Sequence, residues 1–342
     1  MKRQFPNTFI FCLQHAYFFY YRTQLSLTME EIILRFPHLA EKIFQKLTNE
    51  GLARSREVER LWQKFIDEKN YPWLRIVNIP TILQDGNSYM HLAAQYGQMD
   101  IFEMILSGEE NKNLKNLNGE TPFIVACTKG RMNIAIILLN KSNELAIDLN
   151  MEDNYGRTGF HQACLKGHSE VAEIIVKNAA SNNIDLNSKD NFGRTAFSNA
   201  CSMGHLEVAE MIMKNAASTN IDLNLKDNYG RTAFHHACLM GHSEIAEIIM
   251  KNAAKIDLNM KDEDGDTAFH LACWRACWPT DSRTEELGKI KIVDMMIEQS
   301  VSLELDLKAK NNDDKTGYQL AKEEGATDIV NLIQTKMRNL VV

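Results

Sequence analysis

Apolar residues recur along most of this chain at a spacing that predicts pairs of short helices. In one unit, apolar side chains lie at positions i, i+3 and i+4 of two successive segments, and each set marks the buried face of a helix. The two sets are Phe197, Ala200 and Cys201, then Val208, Met211 and Ile212. Gly204 between them supplies a left-handed residue that ends the first helix. We therefore predict that the second helix runs back antiparallel to the first.

A turn residue that tolerates a positive φ precedes each predicted helix pair. Seven such anchors recur along the sequence, with glycine at the first six and aspartate at the last. They are Gly86, Gly119, Gly156, Gly193, Gly230, Gly265 and Asp314. The first six anchors lie 33 to 37 residues apart. A fixed period in this range is the signature of a repeat protein.

One helix pair cannot be stable by itself. Its four large apolar side chains contribute roughly 1.5 to 3 kcal/mol each when fully buried. Ordering the backbone of some thirty residues opposes this with about 1 to 2 kcal/mol per residue. Neighbouring units must therefore stack on one another, and the expected fold is an all-α solenoid, elongated and slightly curved, with one concave side.

The units resemble ankyrin repeats, whose signature is T-P-L-H-x-A in a unit of 33 residues. The matching segments read TAFHHA at 232–237, TAFHLA at 267–272 and TPFIVA at 121–126. Proline is mostly replaced by alanine or glycine, leucine by phenylalanine, and the second alanine by cysteine. The resemblance implies seven repeats over residues 81–342, short β-hairpin tips, and a protein-binding role.

Two departures from the repeat length predict loops. Four extra residues follow some second helices, as in residues 180–187, and we expect them to lengthen the turn before the next tip. The sixth repeat carries a twelve-residue insertion at about 275–287, since Cys273 and Gly288 are fifteen positions apart. We expect this insertion to emerge where the two helices of the repeat meet.

A helical domain is predicted at residues 29–80, ahead of the repeats. Its apolar spacing resembles an F-box from Ile43 onward, which implies binding to a Skp-type linker protein of a cullin-based ubiquitin ligase. The residues that would carry this contact are Pro37, Leu39, Ile43, Phe44, Leu47, Leu52, Val58 and Trp62. Leu39 departs from the family, which has an acidic residue there, and Pro37 stands one residue too close. The alternative is a helical cap that covers the end of the solenoid.

Residues 1–28 form a separate tail. An apolar stretch at 9–13 follows Lys2 and Arg3, as in a secretion signal, but no small-residue cleavage site follows it. We expect a disordered or misassigned start, with initiation at Met29. A weak targeting signal and a helix packed on the body remain alternatives.

Composition narrows the function. The chain has 342 residues, 44% of them hydrophobic and 24% charged, with a formal net charge of -7. This balance is typical of a globular protein and disfavours nucleic acid as a partner, because no basic field would gather phosphates. The tail is too short and too polar to cross a bilayer, so no membrane partner is expected either.

Seven cysteines are distributed singly, in most cases one to each unit. They are Cys12, Cys127, Cys164, Cys201, Cys238, Cys273 and Cys277. Units stacked about 10 Å apart would hold neighbouring thiols too far apart for disulfides, whose Cα atoms lie within about 7 Å. We expect reduced, packed thiols in a cytoplasmic or nuclear protein.

Catalytic and metal sites find no support. The motif His-x-x-Cys occurs at residues 161–164, 235–238 and 270–273, but each copy falls on the signature's own histidine and core position. The cysteine should face the stack while the histidine bonds locally. A second histidine set, His168, His205 and His242, follows the glycines that end the first helices, and we expect these side chains to serve the turns there. We therefore predict no enzyme, no metal and no cofactor.

Recognition is the better-supported role. The predicted tips carry an aromatic residue and, two positions on, an arginine, which are residue types that dominate interface energies. The predicted client-binding residues are Tyr155, Arg157, Phe192, Arg194, Tyr229 and Arg231, together with Trp278 in the insertion. The alternatives are that neighbouring tips pack on each other and that Trp274 and Trp278 fold back onto the repeat.

Two functions follow from these observations. One is a monomeric adaptor that presents a client protein, held on the tips and the concave face, to a Skp/cullin ubiquitin ligase. The other is an ankyrin scaffold with no ubiquitin role, whose N-terminal helices only cap the solenoid.

Overall fold

The structure, a computed structural model, describes residues 86–107, 111–274 and 283–337. The predicted tail and the predicted F-box-like domain, with all eight of its proposed linker-binding residues from Pro37 to Trp62, lie outside the described residues. Trp278 lies outside them as well. These predictions therefore stay predictions.

Packing divides the chain into two units. One comprises residues 1–87 and 100–110, and the other comprises residues 88–99 and 111–342. In the first unit, the structure describes little more than one helix.

Fourteen α-helices are present in the described residues, and they are short and regularly placed. In chain order they are α1 Tyr89–Tyr96, α2 Met99–Leu106, α3 Pro122–Thr128, α4 Met132–Lys141, α5 Gly159–Leu165, α6 Ser169–Asn182, α7 Ala196–Met203, α8 Leu206–Thr219, α9 Ala233–Leu239, α10 Ser243–Lys251, α11 Ala268–Cys273, α12 Arg283–Gln299, α13 Gly317–Glu323 and α14 Thr327–Lys336. A short 3₁₀ turn, Ala253–Lys255, follows α10. Most of α2 belongs to the first unit, and the other helices belong to the second.

The second unit is built from two rows of stacked helices. In one row, α1, α3, α5, α7, α9, α11 and α13 each contact the next, and in the other row α4, α6, α8, α10, α12 and α14 do so. In the six pairs from α3–α4 to α13–α14, each helix also packs on its partner. Neighbouring pairs therefore bury each other's apolar faces, as the energy argument predicts.

Threonine caps start the first helix of most pairs. At α5 the Thr158 hydroxyl accepts from the backbone N–H of His161, and the His161 ring accepts from the backbone N–H of Thr158, which forms a reciprocal capping box. The same arrangement begins α13, with Gln319 in place of histidine. These contacts satisfy backbone donors that the first turn of a helix would otherwise leave unpaired.

The predicted turn anchors adopt the expected backbone conformation. All six glycine anchors have a positive φ, for example 72° at Gly156, and Asp314 has φ 61°. The tips themselves are tight turns closed by backbone hydrogen bonds, such as Asp153 N–H to Arg157 O at 2.9 Å. No extended strand is present in the described ranges, where an isolated antiparallel bridge joins Lys261 and Thr267.

The core is apolar, and repeats two to six each carry one buried thiol. Five cysteines are free and fully buried, and burial raises the pKa of each of them. They are Cys127, Cys164, Cys201, Cys238 and Cys273. Burial keeps these thiols protonated and shields them from oxidants.

The prediction of a longer turn after the second helices is wrong. Residues 180–182 continue α6, and the corresponding residues continue α8. Asn183 and Asn220 then end these helices in the left-handed conformation, with φ 52° and 54°. The alanines at 179–180 and 216–217 favour an added helical turn, while asparagine tolerates the left-handed cap better than most residues.

Most of the insertion predicted at about 275–287 lies outside the described residues, and its last five residues are helical. The first helix of the sixth repeat, α11, ends at Cys273, and the second, α12, begins at Arg283. Gly288 lies inside α12. Its lack of a side chain allows α12 to approach Gly241 closely, because a Cβ on Gly288 would clash with the backbone oxygen of Gly241.

Candidate functional site

Three consecutive tips have the same construction, and we call them the aromatic tips: residues 153–157, 190–194 and 227–231. Each begins with a buried aspartate whose Oδ1 accepts from two backbone N–H groups of its own turn. In the third tip, the N–H groups of Tyr229 and Arg231 donate to Asp227 at 2.9 and 2.8 Å. The turn is thus held by a side chain as well as by its backbone.

Hydrogen bonds fix the register from one aromatic tip to the next. The backbone N–H of Asn191 donates to Tyr155 O at 2.9 Å, and that of Asn228 donates to Phe192 O at 3.0 Å. The side-chain amides of the same asparagines also donate to the preceding tip, at 3.1 and 3.0 Å. The three tips therefore form one continuous ladder.

The aromatic rings of this ladder face solvent. Tyr155, Phe192 and Tyr229 are 56%, 43% and 54% exposed. The guanidinium of the arginine two residues on packs over each ring, at 5.1, 5.9 and 5.7 Å from its centroid. Each tip thus presents a ring with a cation already against it.

The arginines also reach the next tip along the chain. The Nε of Arg157 lies 3.7 Å from Asp190 Oδ2, and the Nε of Arg194 lies 3.8 Å from Asp227 Oδ2. Arg231 is closer and donates a hydrogen bond to Asp262 Oδ2 at 3.1 Å. Neighbouring tips therefore contact each other through the half-buried arginines, while the rings stay exposed.

A layer of buried polar side chains, which was not predicted from the sequence, lies behind the tips. One residue of each first helix bonds the Oδ2 atom of the tip aspartate: Gln162 with Asp153 at 2.7 Å, Asn199 with Asp190 at 3.3 Å, and His236 with Asp227 at 2.8 Å. The signal available in the sequence was the constant separation of nine residues. This layer ties each tip to its helix.

His236 and Asp227 are both buried. Burial lowers the pKa of His236, so its neutral Nε2–H donates to the carboxylate. Burial by itself would raise the pKa of Asp227, but hydrogen bonds from His236 and from the backbone of Arg231 and Tyr229 hold that pKa below its usual value. Asp227 is therefore a buried anion held by three hydrogen bonds.

The histidines of the His-x-x-Cys motifs bond their own helix cap and also the next unit. The Nδ1 of His161 bonds the cap residue Thr158, and its Nε2 donates to Arg194 O of the next unit at 3.1 Å. His235 repeats this with Thr232 and Asp266 O. Burial lowers the pKa of His161 and lowers that of His235 to about 4. The local bond was predicted, but the bond to the next unit was not.

The prediction that the second histidine set serves its own turns is wrong. The Nε2 atoms of His168, His205 and His242 donate to carbonyl oxygens forty residues earlier, those of Thr128, Leu165 and Ser202, at 3.1, 3.0 and 3.1 Å. Each ring also lies against a glycine of the preceding unit, where a Cβ would come within 3 Å of it. These histidines join neighbouring units.

Charged side chains distinguish the tips from one another. Lys189 precedes the second aromatic tip and Lys226 precedes the third, and each Nζ donates to a backbone oxygen of the next unit at 2.7 Å. The following tip, residues 262–266, carries Asp264 and Asp266 where the others have the ring and the arginine. The aromatic row therefore ends in an acidic tip.

The described residues contain neither a metal-binding cluster nor a membrane-spanning helix. No group of three or more histidine, cysteine or acidic side chains there is arranged to hold a metal ion. None of the helices there combines the length and the apolar character needed to cross a bilayer.

Comparison with known proteins identifies the repeat. The family model for ankyrin repeats matches three times, at residues 90–190, 175–262 and 220–280. Among curated proteins, no sequence matches the chain. Among solved structures, the chain is similar to the ankyrin repeat domain of Bcl-3, a unique member of the IkappaB protein family, with a TM-score of 0.58 and 18% identity over 73% of this chain and 100% of that one. At this identity the likeness shows the fold alone.

Proposed function

This chain belongs to the ankyrin-repeat family, and on that premise we propose that it is an adaptor whose three aromatic tips bind a client protein. Ankyrin repeats are protein-interaction scaffolds and not enzymes. The proposal specifies which surface of this chain binds the client and to which partner the chain delivers it.

One observation supports the tips as that surface. Three aromatic rings, each about half exposed, repeat in one register, and each has an arginine packed on it. Aromatic and arginine side chains contribute most to binding energy at protein interfaces. Because the turns are already held by buried aspartates, binding would order little additional backbone.

Site-specific photocrosslinking tests this part of the proposal. A photoreactive phenylalanine analogue at Phe192 should trap one client in the cells from which the chain comes. The same analogue at Met203, which is 52% exposed at the end of a first helix, is the matched control and should not trap it. Replacing Tyr155 and Tyr229 by alanine should abolish the adduct. An adduct from Met203 alone would show that the client binds elsewhere.

We further propose that the chain delivers its client to a ubiquitin ligase. The support is the F-box-like apolar spacing of residues 43–66, which a simple cap does not explain. In this scheme the N-terminal helices bind the Skp-type linker protein, and catalysis belongs to the partners. The second candidate, a scaffold without a ubiquitin role, is favoured by the departures at Pro37 and Leu39.

Co-purification distinguishes these two candidates. The full chain should retain the linker protein, and Leu47→Asp or Trp62→Ala should release it while the circular dichroism spectrum of the array is unchanged. Met203→Ala serves as the control and should bind the linker normally. If the unmutated chain does not bind the linker, the scaffold candidate is correct.

A further inference from the structure

We propose that the client segment bound by the aromatic tips is an acidic polyproline II strand with a side-chain period of three. This inference deepens the proposed function and rests on it. It names the conformation and the charge of the partner from three features of the described tips: their spacing, their charges and their number.

The spacing of the rings favours the polyproline II conformation. The rings lie one per repeat, and the first helices that carry the tips pack side by side at about 8 to 10 Å. A polyproline II strand advances about 9.3 Å in three residues and has three residues per turn. Every third side chain of such a strand therefore points the same way and meets the next ring.

Other conformations fit this spacing less well. In a β-strand, side chains on one face are about 6.6 or 13 Å apart. In an α-helix, seven residues advance about 10.5 Å, so three rings would need a helix of about fifteen residues. The contacting face of such a helix also turns by about 20° with each heptad, which moves it away from a straight row of rings. A polyproline II strand spans all three rings with seven residues.

The charges of the tips favour an acidic strand. The tip aspartates Asp190 and Asp227 are buried, with side-chain exposures of 0%, so a partner would not meet their charge directly. It would meet the arginine beside each ring, and also Lys189. A carboxylate next to each ring-facing residue would pair with that arginine at two positions of its guanidinium.

The number of rings sets the length of the segment. The tip before the row has Asn118 at the ring position, and the tip after it has Asp264. Glu263 and Asp264 are exposed, so an acidic strand that continued past Tyr229 would be repelled. The bound segment should therefore contain three acidic triplets and no more.

Fluorescence anisotropy with designed peptides tests this inference on the full chain. The probe is three repeats of Glu-Pro-Pro. Three repeats of Lys-Pro-Pro reverse the charge, and the nine-residue peptide Glu-Pro-Pro-Pro-Glu-Pro-Pro-Pro-Glu keeps the length and the charge but breaks the period. A helical peptide with glutamate at heptad spacing represents the rival conformation. We expect the first peptide to bind at least about tenfold more tightly than the other three and to be weakened by salt.

Variants locate the binding. The triple substitution Tyr155→Ala, Phe192→Ala and Tyr229→Ala should reduce affinity for the Glu-Pro-Pro peptide at least about tenfold. The control pair Met203→Ala and Met240→Ala removes exposed apolar side chains of the same units and should have no effect. Circular dichroism establishes that both variants are folded.

The possible failures can be told apart. If the helical or the lysine peptide binds best, or if the triple variant binds as well as the unmutated chain, the period-three acidic strand is excluded. If a client still crosslinks at Phe192 in that case, the tips remain the client surface and only this inference fails. If neither a peptide binds nor a client crosslinks, the proposed function of the tips fails as well.

Discussion

Each aspartate of the aromatic tips hydrogen-bonds two parts of its unit. In Asp153, Asp190 and Asp227, one carboxylate oxygen holds the turn and the other holds the first helix. A buried charge is tolerated only when it is hydrogen-bonded, and here backbone N–H groups and one side chain per tip, that of Gln162, Asn199 or His236, donate to it. The exposed rings are thus mounted on a rigid base.

The arginines should differ in their effect on stability. Arg231 donates a hydrogen bond to the buried Asp262, whereas Arg194 lies 3.8 Å from Asp227. We expect Arg231→Ala to lower the free energy of unfolding by about 1 to 2 kcal/mol and Arg194→Ala by less than about 1 kcal/mol. Urea unfolding of the two variants measures this difference. A larger loss for Arg194→Ala would contradict the geometry.

Acid should destabilise the array through His235. Its folded-state pKa of about 4 lies below the ordinary 6.5, because burial disfavours the charged ring. The unfolded chain therefore takes up the proton first, and the stabilisation present above pH 6.5 is lost as the pH falls towards 4. The loss should reach about 3 kcal/mol for this one group. His161 shifts in the same direction.

His235→Gln tests this assignment. Glutamine keeps the capping box, as Gln319 does in the last pair, but it does not titrate. The variant should be about 1 kcal/mol less stable at pH 7, since the bond to Asp266 O is lost, yet it should lose less stability between pH 6.5 and 4. Urea unfolding at several pH values gives both quantities. An unchanged dependence on pH would assign the effect to other groups.

Helix ends in this array depend on left-handed residues. Ala146 follows α4 with φ 51°, and Asn183 and Asn220 end α6 and α8 with φ 52° and 54°. The backbone oxygen of each also accepts from an asparagine amide of the preceding unit, that of Asn113, Asn150 or Asn187. Asn183 and Asn220 thus both stop their helices and aim a carbonyl at the neighbouring unit, whereas Ala146 lies five residues beyond the end of α4 and does only the latter.

Reciprocal substitutions test these helix ends. Ala146→Gly should raise the free energy of unfolding by about 1 kcal/mol, because glycine adopts this conformation without strain. Asn183→Ala should lower it by a similar amount, while Asn183→Gly should be nearly neutral. Thermal and urea unfolding measure all three. A loss of stability on Ala146→Gly together with a gain on Asn183→Ala would contradict this prediction and show that solvation of the backbone, and not strain, decides.

At the scale of the second unit, each helix pair contacts the pairs next to it, and its stability is shared with them. Histidine, asparagine and lysine side chains reinforce these contacts by bonding carbonyl oxygens of adjacent units. In such an array the free energy is close to a sum of terms for single units and for neighbouring interfaces. Damage to one unit should therefore spread to its neighbours first.

Phe197→Ala tests this nearest-neighbour behaviour. Phe197 is 3% exposed in a central pair, and its loss should cost about 3 to 5 kcal/mol by leaving a cavity. The buried thiols report the opening of each unit, since a cysteine reacts only when it is uncovered. Thiol labelling followed by peptide mass spectrometry should show the largest increase in labelling rate at Cys201. The increase should be smaller at Cys164 and Cys238 and smallest at Cys127 and Cys273. Equal acceleration at all five would indicate a single cooperative domain.

The sequence by itself determined the repeat: the turn anchors, the helix pairs and one packed thiol in each of repeats two to six. These follow from local conformational preference and apolar periodicity, which a single unit already contains. Only the tertiary structure decided which polar group bonds which. His205 reaches a carbonyl forty residues earlier, Asn199 bonds the aspartate of its own tip, and α12 passes over Gly241. Stacking creates these partners, because it brings together groups that are distant along the chain.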